Sequence, residues 1–427
     1  MKLLVDKGKT LLVDGPASVS LLSGEVTVLG ASIAVEEKLV VREGKRLPLW
    51  VSANATLELN VGEGASINEV EGGSVPPSWD EAAKQVFGQN LPVTVLVVGG
   101  VDSGKTSFCT YLVNQSVLNK WRTFVVDADL GQSDVGPPST IGFALVSEPV
   151  KDLFDLSAED AVFVGATNPS IAINKVIEGL TQLKTKILDS GADLVVINTD
   201  GWVEGEEAAA YKVRLVNELC PNVVVGLQRA DELTPILGVS NDSTVVVMGS
   251  PELIYSRSRE KRKLLRELSY KKYLKGGKVQ SFSLGWIDVE CSILGAGGKL
   301  HHKRLETLRN LLKTNFVYSE ESLNAVLVVL GRVGSVSEES IEAAEEYFGK
   351  RVKVIRQGDE EGLLVGLKDE NNHFMGIGIL QEVDYKRKTL KVFTPVLEKV
   401  SAICFGNIVL DKNCKELGLC TVYTNSL

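Results

Sequence analysis

Gly99, four further residues and then Gly104-Lys105-Thr106 form the pattern G-x-x-x-x-G-K-[ST] inside "VLVVGGVDSGKTSF" (95–108). It follows an apolar strand-like run and precedes a helix-like one, the setting in which this pattern holds phosphate. Glycines let the main chain wrap a phosphate chain, so that Gly99, Gly100, Val101, Asp102, Ser103, Gly104, Lys105, Thr106 and Ser107 are the expected nucleotide-binding residues. Lys105 would reach the β- and γ-phosphates as a point charge. The Thr106 hydroxyl would join a Mg²⁺ shell. A chance Gly-rich turn between strand and helix is the competing explanation.

The next apolar run, "RTFVVDADLGQSDVGPPSTIG" (122–142), ends in Asp127 and Asp129. Two residues apart on a strand, they point the same way at its carboxyl end. Beside a triphosphate such a pair can divide the labour: one carboxylate holds Mg²⁺ through water and the other takes the proton of an attacking hydroxyl. The plainer alternative is one metal-holding aspartate with a bystander. No N-K-x-D element follows a later strand; "NTDG" (198–201) and "LQRADEL" (227–233) lack the lysine. ATP is therefore favoured over GTP.

Around this site the chain has 427 residues and a formal net charge of −9. That balance excludes a protein that coats nucleic acid non-specifically, so a polyanionic partner must meet a local patch. The six cysteines, Cys109, Cys220, Cys291, Cys404, Cys414 and Cys420, show neither a C-x-x-C pair nor histidines at zinc spacing. Free thiols in a reducing compartment are expected. No apolar run approaches the length that crosses a bilayer, and a soluble, cytoplasmic protein without a membrane partner is the reading.

Three textures divide the chain. Residues 1–78 alternate in short runs punctuated by glycine and are expected to form an N-terminal β domain, bounded by "EGGSVPPSW" (71–79). Residues 79–312 alternate helical stretches with the buried runs "VTVLVVGG", "RTFVVDAD", "DAVFVG", "ADLVVINTD", "NVVVGLQ" and "STVVVMG", which fit a parallel sheet covered on both faces. Residues 313–427 return to alternation, with one helix at "SEESIEAAEEYFGK" (337–350). The expected fold class is α/β: a central P-loop NTPase domain with a mainly parallel sheet, flanked by small N-terminal and C-terminal β domains.

Five segments, "GGVDSGKTS", "DADLGQSDVGPP", "GATNP" (165–169), "NTDGW" (198–202) and "YSRSREKRKLLREL" (255–268), occur in an order and at distances that resemble the polynucleotide 5′-hydroxyl kinases acting on RNA. That family includes kinases of mRNA cleavage, tRNA splicing and ribosomal RNA processing, and archaeal members. The resemblance spans almost the whole chain. It implies an ATP- and Mg²⁺-dependent transfer of the γ-phosphate to the 5′-hydroxyl of RNA, or of DNA, with RNA-processing proteins as partners. It assigns Lys105 and Thr106 to the phosphates and metal, Asp129 to activation of the 5′-hydroxyl, and Asp127 and Gln132 to the surroundings of metal and nucleophile. Thr199 and Trp202 become a substrate clamp, the tryptophan offering a face to a terminal base. Arg257 and Arg262 become lid residues over the phosphates, with Arg259 between them on the RNA side.

Physical chemistry agrees with these roles. Phosphoryl transfer asks a protein for positioning and charge neutralisation, which lid guanidinium groups supply. Stacking a base on an indole is sequence-tolerant, as end processing requires. Ordinary core packing is the alternative for Trp202. Residues 257–278 hold ten Lys/Arg and two Glu; a lid that also meets the RNA backbone and a merely solvated basic helix both fit that composition. An alternative for the whole chain is an ATP-binding scaffold of an RNA-processing complex without catalysis.

Overall fold

The computed structural model describes residues 1–239, 242–251, 253, 256–295 and 297–420. Contacts group the chain differently from its texture. One compact unit comprises Met1–Val162 and Ile173–Arg266, and the other Phe163–Ala172 and Glu267–Leu427.

Seven strands between Lys2 and Glu71 open the first unit as a sheet of antiparallel pairs built on the long strands Ala17–Val28 and Arg46–Val61. Helix α1 (Pro77–Phe87) leads into a second seven-stranded sheet. Its strands are β1 (Val93–Gly99), β2 (Thr123–Ala128), β3 (Thr140–Val146), β4 (Asp160–Phe163), β5 (Leu194–Thr199), β6 (Val223–Gln228) and β7 (Thr244–Gly249), in the order β4-β3-β2-β5-β1-β6-β7. From β2 to β7 neighbours run parallel. β1, β2 and β5 are buried at every position, which is why they read as unbroken apolar runs. Strand β3 was not expected, and it pairs antiparallel with β2. The Gly/Pro/Ser cluster ahead of it, "VGPPS", reads as loop and masks it. Helices α2 (Lys105–Leu118), α3 (Ile173–Asp189) and α4 (Glu206–Leu219) fall between these strands in the chain, and α5 (Arg259–Tyr273) follows β7. The division between the units falls within α5.

The N-terminal sheet shares one buried cluster with this central fold: Leu29 and Leu49 of the sheet join Trp79, Tyr111 and Val113. Asn114 of α2 adds a polar tie in that core. Its Nδ2 donates to the carbonyls of Leu29 (2.9 Å) and Val150 (2.8 Å), and its Oδ1 accepts the Val150 N–H at 2.8 Å.

In the second unit, Lys278–Ser283 pairs with Thr389–Thr394 and Asp288–Glu290 with Ala402–Leu410, in a seven-stranded sheet. Residues 278–290, grouped by texture with the central domain, thus find their backbone partners more than a hundred residues later. A three-stranded sheet, Phe316–Glu321, Ala325–Leu330 and Arg351–Arg356, packs on helices His302–Leu312 and Glu338–Phe348. The helix expected at 337–350 is the second of these.

Replacing Asn114 by alanine takes the partner from three main-chain polar groups, the Leu29 carbonyl buried and the Val150 N–H and carbonyl part-buried. The expected loss is about 3 kcal/mol of stability, read by calorimetry as a fall of several degrees in the unfolding temperature of the first unit.

Candidate nucleotide and phosphoacceptor site

The phosphate loop is held by main-chain contacts that leave no room for side chains at two glycines. A Cβ on Gly99 would lie 2.5 Å from the Leu227 carbonyl oxygen at the end of β6 and 2.6 Å from Ser103 Oγ. A Cβ on Gly201, in the "TDGW" turn after β5, would lie 2.8 Å from the Val101 nitrogen. Gly104 is left-handed at φ 98° and sets the start of α2, so that Lys105 is its first residue. Lys105 is buried and its Nζ donates to the carbonyls of Gly99 (2.9 Å) and Gly100 (2.8 Å). Burial lowers its pKa, with the Asp129 carboxylate opposing.

At the end of β2, Asp127 is fully buried and accepts four N–H groups: Asp129 (3.2 Å), Asp134 (2.6 Å), Val135 (3.3 Å) and Asn198 Nδ2 (3.0 Å). Burial, then the neighbouring Asp134 and Asp129, pushes its pKa up to about 7. Asn198 stands beside Asp127 in register on β5, and the same Nδ2 lies 3.3 Å from Thr106 Oγ1. Asn198, unmarked in the sequence reading, therefore links the P-loop hydroxyl to the carboxylate. Asp129 spends one oxygen on the N–H groups of Gly131 (3.1 Å) and Gln132 (3.0 Å). Its pKa is raised by burial, against the pull of Lys105.

The lid residues reach the P-loop through Asp102, whose φ is 52°. Its Oδ2 accepts Arg262 Nη2 at 2.7 Å and the Arg257 backbone N–H at 3.0 Å. Arg257 Nε donates to Gly44 O at 2.7 Å, Lys261 pairs with Glu43, and Gln132 Nε2 donates to Arg262 O at 3.1 Å. Gln132 thus meets the lid helix, and Arg259, at the start of that helix, is exposed. Tyr255 of the lid motif lies outside the described residues. An aspartate inside a phosphate-binding loop was the signal available for the lid contact, and the sequence reading took it only as part of the cradle.

The "TDGW" turn separates its two assigned residues. Thr199 is fully buried and its hydroxyl donates to Val97 O at 2.8 Å, so it fastens β5 to β1 instead of facing a substrate. Trp202 is half-buried, and its indole stacks on Tyr211 of α4 with centroids 5.7 Å apart and planes 25° from parallel.

The donors suit a magnesium-bound triphosphate. Ser103 Oγ and Asn198 Oδ1 are buried polar atoms that lack a hydrogen-bond partner among the described residues, which marks a cradle built for something more. Thr106 and Asp129 offer hard oxygen atoms, whereas both oxygens of Asp127, expected beside the metal, are taken by N–H groups. Among the described residues no group of three His, Cys, Asp or Glu forms a self-contained metal site; a Mg²⁺ shared with phosphate oxygens needs none.

Residues 99–276 match the family described as the mRNA cleavage and polyadenylation factor CLP1 P-loop. This region is similar to that family's P-loop domain. The chain is 28% identical over 350 residues to the polyribonucleotide 5′-hydroxyl-kinase of Methanocaldococcus jannaschii, covering 81% of this chain and 94% of that protein. It is 29% identical over 347 residues to the enzyme of the same name from Pyrococcus furiosus, covering 81% and 95%. A CLP1 homolog of Nematostella vectensis is 26% identical across 66% of this chain and 71% of its own length. The fold is shared with the solved structure of a wild-type Clp1p–Pcf11p complex, at a TM-score of 0.66 and 13% identity, covering 96% of this chain and 97% of that one. The matched residues thus include the P-loop, the aspartate pair, the "TDGW" turn and the lid in one segment.

Because Gly201 lies against the Val101 main chain, Gly201→Ala is expected to displace the P-loop. ATP affinity should fall by about tenfold or more, measured by titration calorimetry.

Proposed function

We propose that the protein is an ATP- and Mg²⁺-dependent polynucleotide kinase that transfers the γ-phosphate of ATP to the 5′-hydroxyl end of RNA. The observation that carries this reading is the grouping of Lys105, Asp129 and Arg262 around one phosphate loop. An aspartate set there by two backbone N–H groups, with one oxygen free, can take the proton of an attacking hydroxyl. The archaeal relatives bear the name polyribonucleotide 5′-hydroxyl-kinase, which supports RNA as the acceptor.

In this mechanism the P-loop and Lys105 hold the triphosphate, and Lys105 leaves the Gly99 and Gly100 carbonyls for phosphate oxygens. Thr106 would hold magnesium, with Asp127 acting from behind it through Asn198, and Asp129 is left to act as the base. The ion would neutralise charge on the β- and γ-phosphates. The free carboxylate oxygen of Asp129 takes the proton as the 5′-oxygen attacks the γ-phosphorus, and ADP leaves with the bridging oxygen's electrons. Burial raises the basicity of Asp129 and so aids this step. Arg262 and Arg257, brought over the P-loop by Asp102, neutralise charge on the transferring group. Trp202 offers the uncovered part of its indole to the terminal base, and the exposed Lys263 meets the backbone beyond it. A further arm of the proposal is assembly with RNA-processing proteins, supported by the relative solved with Pcf11p. No helix among the described residues is long and apolar enough to cross a membrane, which suits a cytoplasmic site of action.

The test is label transfer from γ-labelled ATP to 5′-hydroxyl RNA, with 5′-hydroxyl DNA alongside. Asp129→Asn is expected to lower kcat by about 10²- to 10⁴-fold while ATP still binds. Lys105→Ala should weaken ATP binding itself, and EDTA should abolish transfer. ATP binding by the unmutated protein without any transfer would make it a scaffold. RNA affinity should also fall as ionic strength rises; a flat salt profile would remove the basic residues of α5 from the interface.

A further inference from the structure

Beside the P-loop, α4 carries a lysine in a place where lysines are rare. Lys212 is 0% exposed, and its Nζ donates to Asp200 Oδ2 at 2.8 Å and to the Asp200 carbonyl at 3.1 Å. Tyr211 adds its hydroxyl to the same Oδ2 at 3.0 Å, and the Trp202 backbone N–H donates to Asp200 Oδ1 at 2.9 Å. Three donor groups from two elements thus converge on one buried carboxylate. Burial lowers the lysine's pKa, with Asp200 opposing, and burial raises that of the Tyr211 hydroxyl.

A buried ion pair is seldom a source of net stability, since apolar residues of like volume fill a core at least as well. Its use is to specify an arrangement, and here the arrangement is visible. The carboxylate is the second residue of the "TDGW" turn, so fixing it fixes the turn. Tyr211, fastened by its hydroxyl, lies flat behind the Trp202 indole. The pair therefore sets where the turn stands, and the phenol ring sets how the indole is tilted.

We infer that Asp200, Lys212 and Tyr211 form the mount that orients Trp202 toward the terminal base of the acceptor strand, and are positioning residues for the RNA end. The inference rests on the reading of Trp202 as the base-stacking residue. Its chemistry is specific to an unpaired nucleobase at the 5′ end: an indole backed by a second ring gains nothing from a sugar-phosphate end that lacks a base. The P-loop residues meet ATP, and because Asp200 and Lys212 also act on the charge of Lys105, the effect on the acceptor is read by its dependence on the 5′ base.

Steady-state kinetics on the full chain separate these effects, using a 5′-hydroxyl RNA oligonucleotide and a matched one abasic at its 5′ residue. Trp202→Ala is expected to raise the KM for RNA about tenfold. Asp200→Asn with Lys212→Met removes both charges at near-constant volume and should raise it by a similar factor. Tyr211→Leu, which removes no charge, should leave the KM for ATP and kcat at saturating RNA within about threefold of the parent. Tyr211→Leu should reproduce the effect and Tyr211→Phe should show less of it, and Tyr211→Leu carries the test if the double variant does not fold. Added to Trp202→Ala, the double substitution should raise KM no further, and with the abasic oligonucleotide all variants should match the parent. If Trp202→Ala leaves the RNA KM unchanged, the stacking role of Trp202 is wrong and the mount falls with it. If Trp202→Ala raises it but Tyr211→Leu and the double variant do not, the mount alone is overturned. A fall in kcat with unchanged RNA KM would likewise overturn it and assign Lys212 to the charge balance around Asp129.

Discussion

Asp127 lies wholly inside the protein, accepts four N–H groups, and thereby holds in place most of what the site needs. Two of its donors, the N–H groups of Asp134 and Val135, close the loop "DLGQSDV" back onto the end of β2. That closed loop presents Asp129 beside Lys105 and Gln132 beside the lid helix. A carboxylate in a dry interior is costly unless every lone pair finds a donor. Four donors offset part of that cost, while burial and two acidic neighbours still push its pKa up to about 7.

The same loop also reaches the N-terminal sheet. Asp134 is paired with Arg42 (2.8 Å) and Lys45 (3.1 Å), which hold its carboxyl well below the usual range although burial pushes the other way. Arg42 and Lys45 also pair with Asp152. Between these two cations lie Glu43 and Gly44, the partners of Lys261 and Arg257. One turn of the N-terminal sheet therefore touches the acidic loop with one side and the lid with the other. This explains why the sheet belongs to the same compact unit as the nucleotide site: its tip is part of that site's frame.

The legible parts of the site were those whose chemistry is local. A strand, a glycine-rich turn and a helix carry the P-loop in consecutive residues, and Asp127 and Asp129 stand two residues apart where one strand ends. Arg257 and Arg262 were legible only as a resemblance, and their common grip on Asp102 was not, because it joins residues 160 apart. Thr199 shows the reverse. As a motif residue it read as a substrate contact, yet its hydroxyl is consumed by the neighbouring strand, since β5 runs between β1 and β2 and an unpaired hydroxyl there would be costly. Strand β3 was hidden by the prolines before it, and residues 278–290 were grouped with the wrong neighbours because a strand's partner is not written in its own composition.

By itself the sequence determined the class of fold, the phosphate cradle and the carboxylate pair, because hydrophobic period, glycine placement and short-range spacing act within a few residues. Only the tertiary structure decided which polar groups satisfy one another. It put Asn198 between Thr106 and Asp127, gave Asp102 to the lid, and buried Lys212 against Asp200 behind Trp202. The physical reason is the same in each case: a buried donor or acceptor must be paired, and the partner that comes within 3 Å is set by how strands and helices stack, not by distance along the chain.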